Sequence, residues 1–163
     1  MNSIHDLIDI LTLEDIGNNQ YNGISKTIGS PNVFGGQVLA QALNAAYRTI
    51  PKERILHSLH SYFLEAGDLT KPITYEVAEI RDGGSFSTRR VTAFQGDRTI
   101  FILAASFHRK EEGYEHQMPI KKDIKQPEEL LSWTDMLDQF GDFLPNKMKA
   151  FLSIERPIEF KPT

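Results

Sequence analysis

The chain has 163 residues, 40% hydrophobic and 25% charged, with a formal net charge of -4. That is the length of one ordinary domain, and its mild acidity gives no electrostatic reason to expect nucleic acid as a partner. It contains no cysteine, which removes disulfides, thiolate metal ligands and a cysteine nucleophile. Asp6, Asp9 and Glu14 with no basic stretch before them do not read as a signal peptide. No apolar run is long enough to span a bilayer, so the expectation is a cytoplasmic protein without a membrane partner.

In chain order, Ile4, Leu7, Ile8, Ile10 and Leu11 fit a short amphipathic helix ahead of a turn at 14–17. Residues 20–26 read as a first strand, and a Gly/Ser/Pro/Asn loop follows. Residues 35–49 then form a helix opened by Gly35 and Gly36 and stopped before Pro51. Its polar residues Gln37, Gln41, Asn44 and Arg48 make one narrow stripe on an otherwise apolar cylinder. A helix that can show water only such a sliver should be enclosed, most simply by a sheet curled around it.

Four strand-like runs follow: 54–64, 72–80, 85–94 and 99–108. Plain alternation in the first would place His57 and His60 on opposite faces. Turn signals separate the last three, at Arg81–Gly84 and at Gln95–Arg98. A helix followed by a β-meander argues an α+β fold with the helix cradled by the sheet. Residues 109–126 are polar and read as a connecting loop. Helical spacing resumes over 127–140 and 145–152. Ile158 and Phe160 then alternate with Glu159 and Lys161 as in a strand just beginning, which suggests a piece of a longer polypeptide or, on the plainer reading, an edge strand that adds to the same sheet.

Several residue types invite chemistry. The N–H groups at Gly35, Gly36 and Gln37 suit a developing negative oxygen, while the glycines equally permit tight packing of the helix start. His57 is the candidate general base, set against an ordinary hydrogen-bonded histidine on a strand. No His-Glu-x-x-His or Gly-x-Ser-x-Gly pattern supports a metal or a serine nucleophile. Arg89 and Arg90 point to opposite faces, and pairing with Glu76 or Glu79 on the neighbouring strand is the common fate of such residues. Asp82 reads as a turn residue.

Three blocks carry a family resemblance: Val33–Leu43 (VFGGQVLAQAL), His57–Asp68 (HSLHSYFLEAGD) and Arg81–Val91 (RDGGSFSTRRV). With Thr99–Phe107, Tyr114–Gln117 and Glu155–Phe160, they resemble the N-terminal half of the TesB-type acyl-CoA thioesterase II family. The resemblance implies a hotdog fold, an antiparallel sheet wrapped around a central helix, as one half of a double hotdog. Residues 1–110 would be the N-terminal hotdog, 111–153 a linker with helices, and 154–163 the start of the second hotdog. The implied reaction is hydrolysis of fatty acyl-CoA to free fatty acid and CoA by an activated water, with no cofactor and no metal.

In the family, the Asp, Thr/Ser and Gln that orient this water lie in the second half, so no complete catalytic set is expected within these residues. Gly35, Gly36 and Gln37 remain as substrate-binding candidates and His57 as the candidate base. The implied partners are acyl-CoA and the second hotdog half, with a homo-oligomer expected when that half is absent. Two other functions compete: a hotdog acyl-CoA hydratase or dehydratase, which needs a base at the tunnel mouth, and a non-catalytic acyl-CoA-binding or assembly module.

Overall fold

The computed structural model describes residues 3–121 and 123–162. Its helices are α1 (Ile4–Leu11), α2 (Gly35–Tyr47), α3 (Trp133–Phe140) and α4 (Asn146–Leu152). Its strands are β1 (Glu14–Gly17), β2 (Gln20–Gly23), β3 (Arg54–Phe63), β4 (Ile73–Asp82), β5 (Phe86–Gln95) and β6 (Arg98–Arg109). Residues 7–112 form one compact unit; residues from 113 onward, with the first turn of α1, belong to another.

In the first unit all six strands join one antiparallel sheet in the order β1-β2-β4-β5-β6-β3. α2 lies across β4, β5 and β6. Tyr75, Val77, Val91, Leu103 and Phe107 close the core beneath it, with Ala42, Ala45 and Ala46 on the helix side. Alanines there bring the helix axis close to the sheet. This is the expected α+β hotdog.

Most of the polar stripe of α2 does not face water; only Arg48, at the helix end, is exposed. Gln41 is fully buried; its Nε2 donates to the carbonyls of Ile10 (2.7 Å) and Ile24 (2.9 Å), and its Oε1 accepts from the Tyr75 hydroxyl (2.6 Å). Gln37 Nε2 also donates to Ile24 O, and Asn44 Nδ2 donates to Leu11 O. The carbonyls of Ile10 and Leu11 end α1, where no further turn satisfies them. The stripe therefore clasps α1 and the segment after β2 onto the central helix. Gly23 permits this, because a Cβ there would stand 2.8 Å from the Gln41 side chain.

Two expectations change at the strands. Residues 14–17, read as a turn, are β1, joined to β2 by Asn18 and Asn19 at φ 54° and 57°. Consecutive left-handed residues give the hairpin turn whose twist matches its strands. In β3 the pairing with β6 slips between Leu56 and Ser58. This bulge puts His57 beside Phe86 (5.6 Å between ring centroids) and His108 (6.1 Å), on the sheet face away from α2. His60 pairs with exposed Ala104 on the same face, so the two histidines do not alternate.

The second unit carries two further helices. Ser132 and Asp135 form a reciprocal cap at the start of α3. Trp133 stacks on Phe160 at 4.5 Å and contacts Phe151 at 5.1 Å, with the Arg156 guanidinium 4.7 Å over its ring. Residues 154–162 form no strand. Phe160, read as part of an alternating ladder, instead gives its ring to Trp133 and its carbonyl to the Trp133 N–H.

Candidate functional site

Helix α2 begins without a side-chain cap, and the preceding residue, Phe34, is extended. The N–H of Gln37 is taken by Phe34 O at 3.0 Å. Those of Gly35 and Gly36 meet no acceptor among the described residues, so two donors and the positive end of the helix dipole point outward together. Of the three residues singled out in the sequence, Gln37 is committed elsewhere. Its side chain is buried against Ile24 O, and its Oε1 accepts from the Lys26 N–H.

The open helix start adjoins a cavity of about 340 Å³ walled by Val33, Val38, Phe63, Leu64 and Ile100, with Asn32 and Glu65 as its polar side chains. Backbone bonds fix the walls. Val33 N–H donates to Gly67 O (3.0 Å), and the N–H groups of Leu64 and Glu65 both reach Ile100 O. Gly67 is required by that close approach, since a Cβ there would stand 3.0 Å from Val33. Buried Gln95 holds the next turn, accepting from Asp68 N–H (2.7 Å) and donating to the carbonyls of Asp68 and Lys71. Glu65 is paired with Arg98. The cavity volume lies at the low end of small-molecule sites, and its mostly apolar wall with a few convergent donors is their usual composition.

His57 lies on the opposite sheet face and does not line this cavity. The polar groups near it are engaged with one another. Glu111 accepts from Arg109, Ser85 and His108, and Arg109 first among them holds its carboxyl down at about 2. Among the described residues no three His, Cys, Asp or Glu side chains are placed to hold a metal ion. No helix among them is long and apolar enough to cross a membrane.

A larger cleft, of about 580 Å³, lies within the second unit between Trp133, Leu152, Arg156 and Phe160. Two of its polar groups are already used: Ser132 caps α3, and Arg156 donates to Ile154 O and Phe151 O.

Arg89, expected to pair with a neighbouring glutamate, is the largest fully buried side chain. It does lie 3.5 Å from Glu79, but its closer partner is Asp82, reached at 3.0 Å on both carboxylate oxygens. Its Nε donates to the Thr49 hydroxyl and its Nη2 also to the Thr49 carbonyl, just beyond α2, while Nη1 donates to the carbonyls of Arg81 and Thr88. Asp82 is therefore more than a turn residue.

The geometry places the protein among hotdog domains with a donor-bearing helix start beside an apolar cavity. Residues 24–108 match the family model for the acyl-CoA thioesterase N-terminal domain. Acyl-CoA thioesterase 2 of Haemophilus influenzae is 40% identical over 158 residues, covering 97% of this chain and 55% of that protein. Human acyl-coenzyme A thioesterase 8 is 37% identical, covering 94% and 50%. Among solved structures, a tesB protein of Mycobacterium avium subsp. paratuberculosis superposes with a TM-score of 0.66 at 37% identity, covering 78% of this chain and 50% of that one. The chain belongs to the TesB-type acyl-CoA thioesterase II family, whose N-terminal hotdog domain it carries. It spans about half the length of these relatives.

Proposed function

We propose that the chain is the N-terminal half of a thioesterase that hydrolyses fatty acyl-CoA to a free fatty acid and CoA. The observation that carries this reading is the open start of α2, with free N–H groups at Gly35 and Gly36, whose first residue, Gly35, borders an apolar cavity. A thioester oxygen directed at them gains most when water adds to the carbonyl and the oxygen becomes an anion. Collapse of that intermediate breaks the C–S bond and leaves the carboxylic acid, while the CoA thiolate takes up a proton. The Asp, Thr/Ser and Gln that orient the water come, on the family resemblance, from the second hotdog; none is assigned to a position here. A hydratase would need a base at the cavity; His57 is not found there, and Glu65, which lines it, is paired with Arg98.

The test is CoA release from a series of acyl-CoAs, comparing this chain with a full-length double-hotdog relative. The chain alone should be slower by at least about a hundredfold, since a positioned acid–base group contributes roughly 10²–10⁴. Comparable rates would overturn the placement of the catalytic set.

The second hotdog is also the partner that the sheet invites. β3 pairs with β6 alone and forms a ten-residue edge bearing Ile55, Tyr62 and Phe63, all more than half exposed. Long apolar edges recruit another strand. The chain by itself should therefore associate into dimers in sedimentation experiments, and Ser58→Lys with Tyr62→Lys should return it to monomer. A native chain that is monomeric at every concentration would remove this proposal.

A further inference from the structure

We propose that Phe63 sets the length of alkyl chain accepted by the cavity at the start of α2. The acyl-CoA reading above supplies the headgroup, while the length rule rests on the cavity itself. Val33, Val38 and Ile100 are buried wall residues packed into the core. Phe63 differs, because it stands on the edge strand and is 56% exposed. Its Cε1 and Cζ atoms lie 3.0 and 3.1 Å from the point that a Cβ on Gly35 would occupy. Its ring is also 4.9 Å from that of Phe101, its cross-strand partner on β6, which is fully buried and does not line the cavity.

The Phe63 ring thus lies against the first residue of α2, with a core aromatic beside it on the next strand. A chain whose head sits at the Gly35 and Gly36 N–H groups runs along Val33, Val38 and Ile100 and meets this ring. In a cavity of about 340 Å³, one aromatic ring is a large fraction of the usable length. Because the ring is on a strand edge rather than in the core, its size can change without unpacking the helix from the sheet. Gly35 is part of the same device: any side chain there would push the ring away.

The test uses non-hydrolysable S-butyl-, S-octyl- and S-dodecyl-CoA thioethers, titrated calorimetrically into the native chain and into Phe63→Ala and Phe63→Trp. Affinity is read as the ratio between long and short probes, so that a general loss of binding or association cancels. Phe63→Ala should shift the dodecyl-to-butyl ratio upward by roughly tenfold or more, the effect of about two further buried methylenes. Phe63→Trp should shift it downward, and Phe86→Ala on the far sheet face should leave it unchanged. Two variants moving the ratio in opposite directions cannot both arise from partial unfolding. An unchanged ratio in both Phe63 variants would overturn the proposal while leaving the thioesterase reading intact. The same opposed shifts with free fatty acids, but no binding of the thioethers, would support the length rule and refute the CoA headgroup. No binding of either probe series would overturn the length rule.

Discussion

Replacing Gln41 with leucine should destabilise the sheet unit by about 2–6 kcal/mol, a large share of the roughly 5–15 kcal/mol by which a domain is ordinarily stable. Leucine fills similar space, so the loss is not one of packing. It is the abandonment of buried partners: the Ile10 carbonyl loses the Gln41 donor, and the Tyr75 hydroxyl loses its acceptor. Each orphaned group costs about 1–3 kcal/mol. Ile24 O keeps the donor from Gln37 and adds little.

Tyr75→Phe alone should cost less, about 1–2 kcal/mol, because only the Gln41 oxygen is left bare. Burial pushes the Tyr75 phenol pKa up, so the hydroxyl stays neutral and acts as the donor throughout the accessible pH range. The double variant removes both ends of the buried bond. It should be more stable than the two single losses predict by about 1–2 kcal/mol. Urea denaturation followed by far-UV circular dichroism measures this, since the single tryptophan, Trp133, lies outside the sheet unit. Strict additivity would refute the Gln41–Tyr75 bond that ties the clasp to β4.

That clasp marks where the sequence stops being legible. The enclosure of α2 follows from its composition, because Ala42, Ala45 and Ala46 can face nothing but a close neighbour. The stripe of Gln37, Gln41 and Asn44 looks the same whether it meets water or a carbonyl, since an amide satisfies either. Only the positions of α1 and of the segment after β2, brought there by the tertiary fold, decide between them. The bulge at His57 is hidden for a related reason: an extra residue in a strand leaves alternation plausible on each side of it, and the phase changes without a signal. Four-residue β1 lacks the length to show a period at all, although Asn18-Asn19 is a hairpin signature in retrospect. The site was half readable. Gly35 and Gly36 announce an open helix start, but the wall opposite is built from Phe63, Leu64 and Gly67, which only the turn clamped by Gln95 brings near.

Asp82→Ala should cost about 2–3 kcal/mol at neutral pH and progressively less in acid. Arg89, 1% exposed, would lose its bidentate partner, and breaking a buried pair typically costs 3–5 kcal/mol. The lower figure applies because the Asp82 side chain is 48% exposed and Glu79 remains 3.5 Å from the guanidinium. Hydrogen bonds from Arg89 first, and then from Ser87, hold the Asp82 carboxyl below its ordinary value of 3.8. A carboxyl depressed in the folded state stabilises it above the unfolded value and loses that contribution as pH falls through the folded one. The gap between native and Asp82→Ala urea midpoints should therefore be constant from about pH 7 to 5 and close below pH 4. Glu111 is present in both proteins, so to first order its own titration cancels in the difference. A gap that stays open as the carboxyl is protonated would mean that Asp82 acts through the shape of the β4–β5 turn. Closure would show that its charge, spanning β4, β5 and the end of α2 through Arg89, fastens the far end of the helix from the site.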